Sequence, residues 1–332
     1  MAAEGALARS ASGAGPATSL PPGARAWDIG LALTASDGVS LRAALWHPKV
    51  VPGATAPDGE RGLALYFPGR TEFLEKAALT ATALSERGFT VASTDWRGQG
   101  LSTRPLPEPL KGHVTSFEEF DRDIEALLAA PEVARAGPVR LVLGHSMGGA
   151  IALGALARGV LSPNAVVLSA PLAGIAFTKA QNAVVRFAAR TARRLGLGER
   201  WPPAPNAGKP TLFLPFEGNC LTHDPAQYAW QGDALRAEPG LQLGLPTFGW
   251  LAAAYDAIAL QDQMRPQNYP MQVVLGAKET VVSNPAARAL AARVEARLDE
   301  VADAKHDILM EEPSRRAAVW QAIDAFLASS GI

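Results

Sequence analysis

The sequence predicts an α/β fold, in which a mostly parallel central sheet has helices on both faces and a helical cap insertion interrupts the alternation. Three features of the chain predict it. An alternating hairpin comes first, strands then alternate with helices from residue 63 to residue 168, and the same alternation resumes at residue 271. Parallel strands need long crossovers, and helices supply them.

The hairpin consists of two runs, 29–33 and 39–45, in which apolar side chains alternate with others. Ser36-Asp37-Gly38 between them is typical of a tight turn. A polar connection rich in proline and glycine, residues 48–62, follows and leads into the alternating part of the chain.

The alternating part contains short apolar runs, each followed by a helical pattern. We predict strands at 63–67, 89–93, 139–143 and 165–168, and helices at 72–87, 116–130 and 147–158. Ser116 and Glu119 match a capping box, which predicts that the second helix begins at Ser116. The turn Asp95-Trp96-Arg97-Gly98-Gln99-Gly100 is interpreted as structural, with Asp95 and Arg97 hydrogen-bonded internally.

The alternation breaks after Pro171 and resumes with a strand at 271–275, a helix at 285–297, a strand at 298–301 and a helix at 314–327. We therefore predict a disordered leader at 1–25, a core in two parts at 26–171 and 269–332, and a helical insertion at 172–268 between them.

Composition limits the classes of function. Lys plus Arg (31) nearly balances Asp plus Glu (32), so nothing predicts a nucleic-acid partner. The single cysteine, Cys220, excludes an intrachain disulfide and a multi-cysteine metal cluster, and we expect neither a cofactor nor a metal. The leader lacks the pattern of a secretion signal, and no run approaches the roughly 20 apolar residues of a membrane span. We expect a cytoplasmic protein.

The segment Gly144-His145-Ser146-Met147-Gly148 matches G-x-S-x-G between a predicted strand and a predicted helix. Such a sharp turn lifts a nucleophilic serine above the sheet edge, as in the α/β-hydrolase fold. The alternative is a glycine-rich turn with a bystander serine. A phosphate-binding loop is disfavoured because no lysine follows the glycines.

A serine hydroxyl needs a base, and His306 is the candidate because it follows the last predicted strand. The alternative is a histidine satisfied in a surface loop. Glu279 is the only carboxylate in the turn after the strand at 271–275, where an acid that orients the histidine is expected. Asp303 or Asp307 is the alternative acid. For the oxyanion hole we predict the backbone N–H groups of Met147 and Arg70.

These motifs resemble a known family. The serine-lipase branch that contains bacterial lysophospholipases and monoacylglycerol lipases has similar sequences, and the bacterial lysophospholipases are closer because they also use a glutamate where Glu279 stands. Pro68 departs from the histidine that is usual in monoacylglycerol lipases. The resemblance spans about residues 30–328 and rests on Phe67-Pro68-Gly69-Arg70, Asp95-Trp96-Arg97-Gly98-Gln99-Gly100-Leu101-Ser102, the elbow 144–149, Lys305-His306-Asp307-Ile308-Leu309, Leu221-Thr222-His223 and Gly244-Leu245-Pro246-Thr247-Phe248.

The resemblance implies an esterase that cleaves lysophospholipid or monoacylglycerol-type lipids through an acyl-enzyme on Ser146. Two alternatives stay open on the sequence, namely an acyltransferase that uses the same acyl-enzyme and a non-catalytic binding protein of the same fold.

The insertion offers apolar residues suited to an acyl chain. Within it, residues 179–194 are amphipathic, with Ala180, Val184, Phe187 and Thr191 on one side and mostly basic residues on the other. A solvated charged face is the simpler interpretation, and peripheral contact of this cap with an anionic bilayer is the alternative. The apolar candidates are Phe177, Val184, Phe187, Leu212, Phe213, Phe216, Phe248, Trp250 and Tyr255.

Overall fold

The structure, a computed structural model, describes residues 15–49, 61–211 and 215–332. Most of the predicted leader, most of the connection 48–62, and the candidate acyl-chain residues Leu212 and Phe213 lie outside the described residues.

The described residues form one eight-stranded sheet with the strand order β1-β2-β4-β3-β5-β6-β7-β8. The first two strands pair antiparallel with each other, and β2 also pairs antiparallel with β4. All further neighbours are parallel, which confirms the predicted sheet. The strands are β1 (Ile29–Thr34), β2 (Ser40–Trp46), β3 (Gly62–Phe67), β4 (Phe89–Thr94), β5 (Val139–His145), β6 (Ala165–Ser169), β7 (Met271–Gly276) and β8 (Arg297–Val301).

Helices cover both faces of the sheet. Buried residues of α1 and α9 pack on one face, and those of α2, α4 and α8 pack on the other. Because both faces are covered, every residue of β4, β6 and β7 is buried. The helices are α1 (Leu74–Glu86), α2 (Glu119–Ala129), α3 (Pro131–Ala134), α4 (Met147–Ala157), α5 (Lys179–Arg194), α6 (Pro225–Ala237), α7 (Phe248–Gln261), α8 (Asn284–Arg293) and α9 (Pro313–Ser329).

The prediction that the second helix begins at Ser116 was wrong by three residues. Glu119 does accept from the backbone of Ser116 at 3.1 Å, but Ser116 Oγ accepts from the backbone of Glu118 at 3.2 Å. These two bonds close a turn that precedes the helix, and α2 begins at Glu119.

The turn after β4 is held internally, as predicted. Arg97 pairs with Asp37 at 2.6 Å and with Asp123 at 2.7 Å. Asp95 pairs with Arg42 at 2.7 Å and accepts from the backbone of Leu74 at 2.8 Å. The turn is thereby tied to β2, α1 and α2.

The segment between β6 and β7 carries α5, α6 and α7. Small side chains let α5 pack closely, since Ala189 and Ala192 are its buried residues and Ala189 belongs to the main core together with Trp250 of α7. None of the helices in the described ranges is both long enough and apolar enough to cross a bilayer.

Candidate active site

Ser146 lies at a strained strand-to-helix turn. It directly follows β5 and precedes α4, and its backbone has φ 52° and ψ −116°. A non-glycine residue in this left-handed region costs on the order of 1–3 kcal/mol, and such strain is concentrated at functional sites. Hydrogen bonds hold the turn in place, because Ser146 N donates to Ser169 O of β6 at 2.9 Å.

The two glycines of the motif are required by close contacts. A Cβ on Gly144 would lie 2.8 Å from Gly148 O, and a Cβ on Gly148 would lie 2.0 Å from Phe67 O. A side chain at either position would collide with backbone, which cannot move aside cheaply. The glycines therefore serve the elbow itself, and this disfavours a bystander serine in a loose turn.

The structure brings the three candidate catalytic side chains together. His306 Nε2 lies 3.0 Å from Ser146 Oγ, and His306 Nδ1 lies 2.6 Å from Glu279 Oε2. The serine and the histidine are 160 residues apart in the chain. With Nδ1–H donating to Glu279, Nε2 is left to accept from the serine hydroxyl, which is the tautomer that a general base needs.

Glu279 is held as an ionised acceptor. Its side chain is 0% exposed, and Oε1 accepts from the backbone N–H groups of Val281 at 2.6 Å and Val282 at 3.2 Å. Burial raises the pKa of Glu279, but the hydrogen bond from His306 and the two backbone bonds outweigh burial and lower it. A carboxylate in this state can stabilise an imidazolium.

The two alternative acids have other partners. Asp303 pairs with Lys278 at 3.0 Å, and Asp307 pairs with Lys76 at 2.7 Å. The geometry therefore favours Glu279 as the group that orients His306.

Three hydrogen bonds hold the loop that carries the predicted second oxyanion donor. Trp96 Nε1 donates to Pro68 O at 3.0 Å, and Gln99 Nε2 donates to Gly69 O at 2.8 Å. Gly69 N donates to Glu72 Oε2 at 2.5 Å. Sequence reasoning missed this use of the turn after β4, where Trp96 and Gln99 lie. Met147 and Arg70 both line the cavity beside Ser146, and their part as oxyanion donors stays a prediction.

A second buried polar cluster, also missed from the sequence, lies next to the first. Lys76 Nζ is 2.7 Å from both Glu72 Oε1 and Asp307 Oδ2, and His145 Nε2 is 3.4 Å from Asp307 Oδ1. The rings of His145 and His306 are 5.0 Å apart. We call Glu72, Lys76, His145 and Asp307 the lysine cluster.

The charges of the lysine cluster stabilise one another. Burial raises the pKa of Asp307, but the Lys76 cation outweighs burial and holds that pKa well below its usual range. Burial lowers the pKa of Lys76, and the Asp307 and Glu72 carboxylates more than reverse this. Burial likewise lowers the pKa of His145, while Glu72 and Asp307 raise it overall.

His145, His306 and Asp307 are close enough to suggest a metal site, because their ligand atoms lie within 4.8 Å of one another. These groups are already engaged, however. His306 contacts Glu279 and Ser146 through its two ring nitrogens, and Asp307 pairs with Lys76. The arrangement therefore favours proton transfer by His306 over metal ligation.

The remaining histidines belong to other places. His47 follows β2, His113 Nδ1 lies 2.8 Å from Thr247 Oγ1, and His223 Nδ1 lies 2.9 Å from Glu311 Oε1. The selection of His306 from its place after the last predicted strand therefore agrees with the geometry.

A cavity of about 290 Å³ opens beside Ser146 and is lined by both apolar and polar residues. Phe177 and Trp250 line it, as expected for an acyl-chain pocket. The expectation was wrong for Val184 and Phe187, which do not line the cavity and are 67% and 73% exposed. They are exposed because α5 packs through Ala189 and Ala192. Phe216, Phe248 and Tyr255 also lie outside the lining, whose other apolar members are Met147, Leu172, Ile175, Leu221, Pro246, Leu251, Val281 and Val282.

Comparisons with known proteins find one matching family model and similar lysophospholipases. The family model described as "Serine aminopeptidase, S33" matches residues 58–313. The probable lysophospholipase L2 of Haemophilus influenzae is 29% identical over 269 residues, which cover 80% of this chain and 84% of that protein. The lysophospholipase L2 of Escherichia coli is 35% identical over 192 residues, which cover 55% of this chain and 53% of that protein.

Solved structures share the fold at lower identity. A soluble variant of monoglyceride lipase from Saccharomyces cerevisiae, in complex with a substrate analogue, has a TM-score of 0.69 at 18% identity and covers 94% of this chain and 96% of its own. A thermostable carboxyl esterase from Bacillus coagulans, in complex with glycerol, has a TM-score of 0.70 at 15% identity and covers 91% of this chain and 98% of its own. At these identities the likeness establishes the α/β-hydrolase fold.

Proposed function

The chain belongs to the serine aminopeptidase S33 family, and from this premise we propose that it hydrolyses carboxylic esters of lipids through an acyl-enzyme on Ser146. The carrying observation is the continuous hydrogen-bonded line from Ser146 Oγ through His306 to Glu279, with steps of 3.0 Å and 2.6 Å. The relatives named as lysophospholipases support a lipid monoester as substrate.

In the first half of the reaction, Ser146 Oγ attacks the ester carbonyl while His306 Nε2 takes the hydroxyl proton. Glu279 stabilises the imidazolium. The negative charge on the carbonyl oxygen is bound by the N–H groups of Met147 and Arg70. The intermediate collapses as His306 returns the proton to the alcohol, which leaves with its oxygen.

In the second half, water attacks the acyl-enzyme and His306 again acts as the base. The carbonyl carbon gains the water oxygen, the bond to Ser146 Oγ breaks, and the proton returns to the serine. A fatty acid is released and the starting state is restored. The apolar lining residues, which include Phe177 and Trp250, are suited to the acyl chain, and the segment 172–268 acts as the cap that supplies these two.

The test is a panel of lysophospholipids, monoacylglycerols and short-chain esters, assayed with the wild type and with Ser146→Ala. We expect fatty acid release from at least one lipid monoester and a loss of about 10⁴-fold or more in kcat for the variant. Wild-type protein that folds but turns over no ester would refute the proposal, as would a variant with undiminished turnover.

We also propose that the cap contacts lipid aggregates through an exposed apolar stripe on and beside α5, defined by Phe177, Val184, Phe187 and Leu195. Phe177 belongs both to this stripe and to the cavity lining, so the stripe adjoins the cavity. The stripe has basic neighbours that favour an anionic surface, among them the exposed Lys179, Arg186 and Arg194. A cytoplasmic location with peripheral binding accords with these features.

A further inference from the structure

In the described part of the chain, two cationic side chains other than histidine, Arg70 and Lys76, line the cavity, and their surroundings differ. Lys76 is neutralised by two carboxylates at 2.7 Å. Arg70 has no carboxylate within 4.0 Å among the described residues. It donates from Nη2 to the backbone carbonyl of Gly244 at 2.7 Å, and its guanidinium lies 5.2 Å from the ring centre of Trp250, another residue of the cavity wall.

The remaining donors of the Arg70 side chain have no acceptor among the residues that the structure describes. Its Nε is buried and has no hydrogen-bond partner in the described part of the chain. Arginine presents its donors in a planar fork that fits two oxygens of a phosphate or carboxylate at once. An unpaired charged donor is costly to bury, and an anion bound at Nη1 and Nη2 would stabilise the guanidinium as a whole.

The electrostatic surroundings of the guanidinium also favour an anion beside it. Burial, followed by the nearby Arg104 cation, lowers the pKa of Arg70 to about 9. Both effects disfavour the charged form, and a bound anion would oppose both. The site therefore favours an anion at this position.

The covalent structure of arginine also suits a glycerol ester. The backbone N–H of Arg70 is the proposed oxyanion donor, so the ester carbonyl lies at one end of this residue. The side chain then places the guanidinium several bonds away. In an acylated glycerophosphate, the glycerol carbons separate the ester carbonyl from the phosphate by a comparable number of bonds.

We propose that the Arg70 guanidinium binds the phosphate of an acylated glycerophosphate and so selects lysophospholipids over monoacylglycerols. This rests on the proposed ester hydrolysis at Ser146. The Trp250 ring, 5.2 Å from the guanidinium carbon, and Gly244 O, which accepts from Nη2, hold the guanidinium at this place in the cavity. Nη1 and the second hydrogen of Nη2 form the end of the planar fork that is available to the phosphate, whereas the buried Nε is not accessible to it.

The test compares substrates that carry the same octanoyl chain, below the concentration at which they aggregate: octanoyl lysophosphatidic acid, octanoyl lysophosphatidylcholine and monooctanoylglycerol. We expect the wild type to have a kcat/KM for the phosphate esters about tenfold or more above that for monooctanoylglycerol. Arg70→Met should lower this ratio about tenfold or more while keeping the backbone N–H.

Arg61→Met is the matched control. Arg61 also has a buried Nε without a partner in the described ranges, and its guanidinium lies 5.7 Å from the ring centre of Phe89, but it does not line the cavity. Its variant should leave the substrate ratio unchanged.

Several outcomes separate the hypotheses. A wild type that cleaves neither class of ester contradicts the proposed function itself. Two other results overturn only the role of the guanidinium and leave the proposed ester hydrolysis standing. These are a wild type without preference for phosphate esters, and an Arg70→Met variant that loses both activities in equal proportion. The wild type could also be inhibited by octanoate but not by glycerol 3-phosphate, with this inhibition lost in Arg70→Met. That result would assign Arg70 to the carboxylate of the product and would likewise overturn the proposed binding of phosphate.

Should Arg70→Met fail to fold, Arg70→Lys decides the question. It keeps the charge but loses the planar fork, so the ratio should fall below that of the wild type. A ratio equal to the wild-type value contradicts the proposal.

Discussion

Two regions of the molecule, the candidate active site and α5, invert the usual distribution of side chains. At the carboxyl ends of the parallel strands, charged and polar groups such as Glu279, His306 and Asp307 have buried side chains. On α5, Val184 and Phe187 are apolar and exposed. Buried polar groups with partners can hold reacting atoms in place, whereas exposed apolar groups can bind an apolar surface. The first region is suited to chemistry and the second to reaching the substrate.

The largest effect is expected at Glu279, in the buried region. Glu279→Gln keeps the shape but favours the wrong tautomer of His306 and removes the negative charge, so we expect kcat to fall about 10⁴-fold. Steady-state hydrolysis of a soluble short-chain ester measures this.

Asp303→Asn is the control for that change, because Asp303 was the alternative acid and instead pairs with Lys278 at an exposed site. Its kcat should stay within about twofold of the wild type. Equal losses in the two variants would remove Glu279 from its assigned role.

The next effect is on stability, at the lysine cluster. Lys76→Met leaves Glu72 and Asp307 as buried carboxylates without their cation, and we expect the free energy of unfolding to fall by about 3–5 kcal/mol at pH 7. Denaturant unfolding measures it. Lys278 forms an exposed ion pair with Asp303 and supplies a control. The Lys278→Met variant should leave the denaturation midpoint unchanged.

The pH dependence of the stability loss in Lys76→Met follows from the directions in which the pKa values of Asp307 and Lys76 are shifted. The Asp307 pKa lies below its ordinary 3.8 and the Lys76 pKa above its ordinary 10.5. The contribution of Asp307 to the free energy of unfolding is therefore fully present above pH 3.8 and is lost as pH falls through the pKa of the folded state. The contribution of Lys76 is fully present below pH 10.5 and is lost as pH rises through the pKa of the folded state. In Lys76→Met the uncompensated carboxylates take up protons more readily, so the loss of stability should be smaller at pH 4 than at pH 7. A loss that grows on acidification would contradict the pairing.

The smallest effect is expected on α5. Replacing Val184 and Phe187 together by serine removes apolar side chains that are exposed in the free protein, so folding should be unaffected. Binding to anionic vesicles, measured by co-sedimentation, should weaken about fivefold. Turnover of a soluble short-chain ester should not change.

Leu298→Ser provides the control for α5, because Leu298 is also exposed but lies on β8. If vesicle binding weakens equally in the α5 variant and in Leu298→Ser, or in neither, the proposal that α5 binds the lipid surface is contradicted.

The sequence was informative where local constraints act. Strand and helix periods, together with the glycines around Ser146, predicted the sheet and the elbow because each is a short-range pattern. His306 and Glu279 followed from chain order, since the carboxyl ends of parallel strands meet at one edge of the sheet.

Other features depend on distant partners and leave no local pattern. Lys76 and Asp307 are 231 residues apart, and no periodicity marks them as a pair. The bracing of Pro68 by Trp96 likewise depends on two loops meeting. On α5 the apolar residues suggested a lining for the acyl chain, but the small residues Ala189 and Ala192 decided which side packs.

Mapping the site of fluorophosphonate attachment by intact mass and peptide mass spectrometry tests the central claim most directly. We expect a single adduct on Ser146 that is absent in Ser146→Ala and forms far more slowly in His306→Ala. An adduct that persists in Ser146→Ala, or that maps to another residue, would contradict the proton-transfer line on which the proposed chemistry depends.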